Sequence, residues 1–192
     1  MKDTIFSSLI LMVAFAFTAC GGGGQSESES AESQQAEQDH QMMMDDGVRT
    51  IEIFGTDDLR FKVEEAGEGL QTGATTGEYT VLEAIEASPG EEIRIVLTTV
   101  SQLPPAAMSH NWTLVDMGTD VDTFARESLA ARDNDYISPN FEDQVIAHTA
   151  MIGSGETDTI TFTVPDEPGE YDFICTFPGH YAGGMVGKLI VQ

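Results

Sequence analysis

The chain has 192 residues, 41% of them hydrophobic, which allows one ordinary domain with extensions and rules out a purely acidic disordered polymer. It carries 33 Asp+Glu against 8 Lys+Arg, a formal net charge of −25. No nucleic acid partner is expected, because too little base remains to build a phosphate-binding patch, and the same shortage argues against docking on anionic lipid through basic residues. The two cysteines, Cys20 and Cys175, imply no intramolecular disulfide framework, since the first lies in a removable leader.

Lys2 gives a short, weakly positive start, and residues 5–17 are apolar apart from Ser7 and Ser8. That is the length of a signal-peptide core and is short for a membrane span. The run ends in Phe17-Thr18-Ala19-Cys20, which resembles a bacterial lipoprotein cleavage box with Phe17 where Leu is commoner. The expectation is a signal peptide at 1–19 and a lipid anchor on Cys20, with export to the periplasmic or cell-surface side of a bacterial membrane.

Residues 20–47 follow as an acidic linker rich in Gly, Ser, Gln and Glu, without apolar periodicity. A flexible chain of this length spans roughly 30 Å r.m.s., enough to lift a domain clear of a bilayer. His40 and Met42-Met43-Met44 are soft donors, but the plainer reading is a linker that happens to contain them.

The folded domain is expected over 48–192. Apolar residues alternate with polar ones at Ile51 and Ile53, at Leu59, Phe61 and Val63, and at Tyr79, Val81 and Ile85. Further runs hold Ile93, Ile95 and Leu97, then His110, Trp112 and Leu114, then Ile160, Phe162 and Val164. Tyr171, Phe173 and Cys175 make another, and Leu189 and Val191 close the chain. Period-2 runs between Gly/Pro/Asp clusters predict an all-β antiparallel sandwich or Greek-key barrel of about eight strands. Only Asp120 to Arg132 reads as helical, and Gly67 to Gly77 reads as a long exposed loop.

The chemistry sits in CTFPGHYAGGM, which spaces Cys175, His180 and Met185 five residues apart on one loop between two strands, with His110 on an earlier strand. Two imidazoles, one thiolate and a weak axial thioether are the donor set of a type 1 copper site. Zinc is disfavoured, since it takes four firm Cys and His ligands and a thioether binds it poorly. A single Cys argues against a binuclear copper centre. His148, in Val145-Ile146-Ala147-His148, has no spacing relation to this loop and reads as a non-ligand.

SHNWTLV at 109–115, DNDYI at 133–137, VIAHT at 145–149, IGSGE at 152–156 and CTFPGH at 175–180 resemble the azurin and auracyanin branch of the cupredoxins. The resemblance implies a Greek-key cupredoxin sandwich with a short helical flap and one-electron transfer through one copper. It implies His110, Cys175 and His180 as equatorial ligands and Met185 as the distal one. It places Ser109 where azurin has a glycine whose carbonyl approaches the metal. Asn111 matches the residue that ties the ligand loops together, and the backbone N–H of Phe177 matches a donor to sulfur. Four residues separate His180 from Met185, as in auracyanin, where azurin has three.

The expected function is electron transport, not catalysis, because copper enzymes need further metal sites that three His in the domain cannot supply. The expected partners are c-type cytochromes or membrane electron-transfer complexes, met through an apolar patch around His180 that takes in Phe177, Leu103, Pro104, Pro105 and Met108. The alternative is a copper-binding module that stores or delivers metal.

Overall fold

The alternating runs form strands in the computed structural model, which describes residues 47–192. In chain order these are β1 (Arg49–Thr56), β2 (Arg60–Val63), β3 (Leu70–Thr76), β4 (Tyr79–Ala87) and β5 (Glu92–Val100). After β6 (Thr113–Val115) comes α1 (Val121–Ser128), then β7 (Val145–His148), β8 (Thr157–Thr163), β9 (Gly169–Ile174) and β10 (Val186–Val191). The leader, the Cys20 anchor and the tether with His40 and Met42–Met44 lie outside the described residues.

The strands pair in the order β7-β6-β9-β10-β4-β2-β1-β5-β8, with β3 added on β4. The two ends of this path approach each other, so the sheet curls into a nearly closed barrel. Two pairs are parallel, β1 with β5 and β4 with β10, and the others are antiparallel. Parallel neighbours need long crossovers rather than hairpins, which is how a Greek-key chain brings distant segments to one end of the barrel.

Ile53, Ile93, Ile95, Leu97, Leu114, Phe173 and Leu189 are wholly buried in the core. Each such side chain contributes about 1.5–3 kcal/mol on leaving water. Trp112 is buried between Phe162 and Phe173, with ring centroids 5.6 and 5.4 Å away. A second, smaller core lies under α1, where Val121 and Phe124 meet Val115, Ile137 and Ile174. The Asp120 carboxylate caps α1 by accepting the N–H of Thr123 at 3.1 Å. Hydrogen bonds from Thr123 hold that carboxyl below its usual value.

The structure corrects the sequence reading in three places. Residues 67–77 are not a loop: Leu70–Thr76 forms β3, antiparallel to β4, with register shifts at Gln71/Thr72 and Thr72/Thr75. Its side chains are mostly exposed, so no buried alternation marked it; backbone pairing with β4 holds it, together with half-buried Leu70 against the core and the Gln71–Glu86 and Thr75–Thr80 side-chain bonds. The strand count is ten among the described residues, β3 and β7 being the additions. The regular helix stops at Ser128, and a 3₁₀ turn at Arg132–Asn134 follows.

Candidate metal centre

His110 does not open a long strand. It lies just before β6 and pairs with Ile152 in an isolated bridge, where each N–H donates to the other's carbonyl at 2.9 Å. Its ring lies over Gly55 near the end of β1. Gly55 occupies the inward position that follows Ile51 and Ile53, where the alternation calls for another apolar side chain. A Cβ there would come within 2.7 Å of the imidazole. Glycine inside a strand commonly marks such a close approach, and this break in rhythm was the available signal for a residue the sequence reading passed over.

Cys175, His180 and Met185 sit on the β9–β10 connection. This loop is folded on itself by backbone bonds: His180 N–H to Phe177 O at 3.0 Å, Met185 N–H to His180 O at 2.9 Å and Cys175 N–H to Met185 O at 3.2 Å. The sulfur of Cys175 faces Nδ1 of His180 at 3.4 Å and Nδ1 of His110 at 3.8 Å. The two imidazole centroids are 4.8 Å apart. Cys175, His110 and Met185 have no solvent exposure, and His180 retains 3%.

Asn111 joins the two ligand segments. Its Oδ1 accepts the N–H of Thr176 at 2.9 Å, and its Nδ2 donates to Thr176 Oγ1 at 2.8 Å and to Asp135 O at 3.1 Å. Asp135 and Tyr136 adopt left-handed backbone angles, φ 48° and 55°, uncommon for residues other than glycine. The Asp135 carboxylate also accepts the N–H of Met151 at 3.1 Å. Tyr136 packs edge-on against Phe177 with centroids 5.6 Å apart, and Phe177 in turn packs on His180 at 4.7 Å. The Ser109 hydroxyl donates to the carbonyl of Pro105 at 2.8 Å.

The electrostatics follow from burial. Burial and the neighbouring His180 push the His110 imidazole down to about 3, against a small opposing pull from Asp57. Burial takes His180 to about 4. Burial pushes the Cys175 thiol up to about 12, offset in part by the backbone N–H groups of Asn111 and Phe177. At neutral pH both imidazoles are therefore neutral, with lone pairs available, beside a thiol that ionises only with a cation present. His110 Nε2 is buried without a hydrogen-bond partner. Three donors within 4.8 Å, with no carboxylate among them, make a soft pocket that fits one copper ion.

His148 lies outside this cluster. It is exposed on β7, with Nδ1 3.0 Å from the Thr149 carbonyl, as the spacing argument expects. Met108 departs from expectation: at 8% exposure it is buried and does not extend a surface patch. Leu103, Pro104 and Pro105 are exposed.

The model of the copper binding proteins of the plastocyanin/azurin family matches residues 70–192. The chain belongs to that family. Its cofactor is copper, and the gathered donors are those of one type 1 centre. The azurin of Pseudomonas chlororaphis is 46% identical over 99 residues, covering 50% of this chain and 75% of the azurin. Auracyanin-B of Chloroflexus aurantiacus is 44% identical over 87 residues, covering 44% of this chain. The chain spans only 36% of auracyanin-B's length. The structure of auracyanin A from the same bacterium, described as a blue copper protein, superposes with a TM-score of 0.58 at 30% identity, covering 76% of this chain and 100% of that one.

Proposed function

We propose that this plastocyanin/azurin-family protein is a mononuclear blue copper electron carrier, held by a lipid on Cys20 at the outer side of a bacterial membrane. Copper, when bound, supplies reversible one-electron Cu(II)/Cu(I) chemistry. His110 Nδ1, Cys175 Sγ and His180 Nδ1 would hold it, with the Met185 thioether and the Ser109 carbonyl as weaker donors. The N–H groups of Asn111 and Phe177 stabilise the thiolate. The observation that carries the reading is closure: three donors meet with no more than 3% exposure at any of them. A closed site gives no room for a substrate or for easy metal exchange, which favours electron transfer over catalysis or copper delivery.

Electrons enter and leave through the edge of His180. Exposed Pro178 and Gly179, half-buried Phe177, and the exposed Leu103-Pro104-Pro105 segment offer a surface that loses water easily. Redox partners such as c-type cytochromes meet small surfaces briefly. The acidic remainder of the domain acts at longer range and is screened over about 8 Å at 0.15 M salt.

The test is stopped-flow electron exchange with one basic and one neutral cytochrome across a salt series. Phe177→Glu puts an unpaired charge into a contact that must desolvate. Exchange is expected to slow about tenfold or more with both partners while the spectrum is unchanged. Parental rates with both would place the doorway elsewhere.

A further inference from the structure

The β1–β2 hairpin touches both ligand segments. At one side Gly55 backs the His110 ring. At its tip, residues 57–59 turn the chain, with Leu59 in a left-handed conformation at φ 59° and its N–H donating to Thr56 O at 2.9 Å. The tip is stiffened from within: Thr56 Oγ1 donates to Asp58 Oδ1 at 2.5 Å, and Asp58 Oδ2 pairs with the buried Lys62 ammonium at 2.7 Å.

Arg60 leaves this tip and crosses to the other ligand segment. Its Nη1 donates to the carbonyl of Leu59 and to the carbonyl of Gly183, each at 2.7 Å. Its guanidinium lies against Gly184, where a Cβ would sit 2.8 Å from Nη1 and 3.1 Å from Cζ. A Cβ on Gly183 would run into Leu59 Cδ1. Gly184 also holds φ +97°, which favours glycine. Gly183 and Gly184 are the last two residues before Met185. Among the described residues Arg60 has no carboxylate partner, although 25 acids fall within 48–192. One guanidinium nitrogen reaches both carbonyls while the planar group covers a glycine, a combination that a Lys ammonium reproduces only in part.

We infer that Arg60 is a positioning residue of the copper centre: it clamps the Tyr181–Gly184 segment onto the β1–β2 hairpin and so fixes where Met185 stands relative to Cys175 and His180. The inference rests on the copper-centre reading above. It explains how a ligand loop with four residues between His180 and Met185 keeps one shape. The clamp adds a fixed positive charge against the ligand loop, which favours Cu(I) over Cu(II) because Coulomb repulsion is weaker for the less positive state.

The test compares Arg60→Met, Arg60→Lys and a charge control, Arg132→Met, on the exposed flap far from these contacts in sequence. The amides of Gly184 and Met185 donate to Tyr181 O and His180 O at 2.8 and 2.9 Å, and their hydrogen exchange is read in protein prepared without copper. Arg60→Met should speed their hydrogen exchange by about tenfold or more, with Arg60→Lys intermediate and Arg132→Met like the parent. With copper bound, Arg60→Met should shift the one-electron equilibrium toward Cu(II) by about threefold or more, where tenfold corresponds to about 59 mV. Arg60→Lys keeps the charge and should recover most of that shift. Exchange in Arg60→Met within about twofold of the parent, or a potential shift matched by Arg132→Met, overturns the inference. Failure of the parent itself to form a blue centre would instead overturn the copper reading, so the two failures are distinct.

Discussion

Asn111 and Thr176 meet through a buried two-point hydrogen bond, at 2.9 Å from the Thr176 N–H to Oδ1 and at 2.8 Å from Nδ2 to the Thr176 hydroxyl. They follow His110 and Cys175 by one residue each. The link therefore sets the separation of two ligands that lie 65 residues apart in the chain. Asn111→Ala removes both bonds and the third to Asp135, and leaves the Thr176 N–H buried without a partner. The metal-free protein should lose about 2–4 kcal/mol of stability in urea denaturation. A loss below about 1 kcal/mol would mean the two ligand segments are held together by other means.

Gly55→Ala should act on the same centre from behind. The added methyl meets the His110 ring at 2.7 Å, and the ring is wedged between β1 and the sulfur with little room to retreat. Overpacking of this kind costs about 1–3 kcal/mol. Copper affinity should fall and the visible spectrum should change. Gly67→Ala, where the nearest atom is 3.4 Å away on the end of Leu70, serves as the tolerant comparison. Equal behaviour of the two variants in copper titrations would remove Gly55 from the site.

Acid should destabilise the metal-free protein through His110 and His180. Their folded values, about 3 and about 4, lie below the ordinary 6.5, so the unfolded chain binds more protons between those limits. Stability is then full above about pH 6.5 and declines as pH falls toward 4 and 3, by at most about 1.4 kcal/mol per pH unit for each histidine. At the alkaline end Cys175 has the opposite sense. Its thiol is raised to about 12 from 9.0, so stability falls as pH rises above 9. Urea midpoints measured from pH 4 to 10 should show a plateau between about 6.5 and 9. A midpoint that stays flat down to pH 4 would mean the imidazoles are solvated in the metal-free fold.

Much of this was legible in the sequence because the informative residues are close together. Cys175, His180 and Met185 fall on one loop, and Trp112 and Leu114 carry the strand rhythm that places His110 beside them. Asp120 with Thr123 marks the start of α1 by local capping chemistry. What was hidden acts across the fold. Gly55 reaches the His110 ring, and Arg60 the backbone of Gly183 and Gly184, only because β1 and β2 pack at the copper end of the barrel, about fifty and over a hundred residues from the groups they contact. Asp135 works through its backbone carbonyl and an unusual φ, neither of which composition reveals. β3 was missed because an edge strand with exposed side chains on both faces has no buried alternation to read. Met108 looked like surface because its neighbours Leu103 to Ala107 are exposed, and only the packed structure turns it inward.

The most direct test of the copper centre is the visible spectrum of Cys175→Ser beside the parent, each loaded with Cu(II). The parent should be intensely blue through thiolate-to-copper charge transfer. The variant should be colourless in that band, because a serine hydroxyl cannot supply the soft, covalent sulfur donor. A Cys175→Ser protein that kept the blue band, or a folded parent that bound Cu(II) without developing it, would contradict the assignment of His110, Cys175 and His180 as a type 1 site.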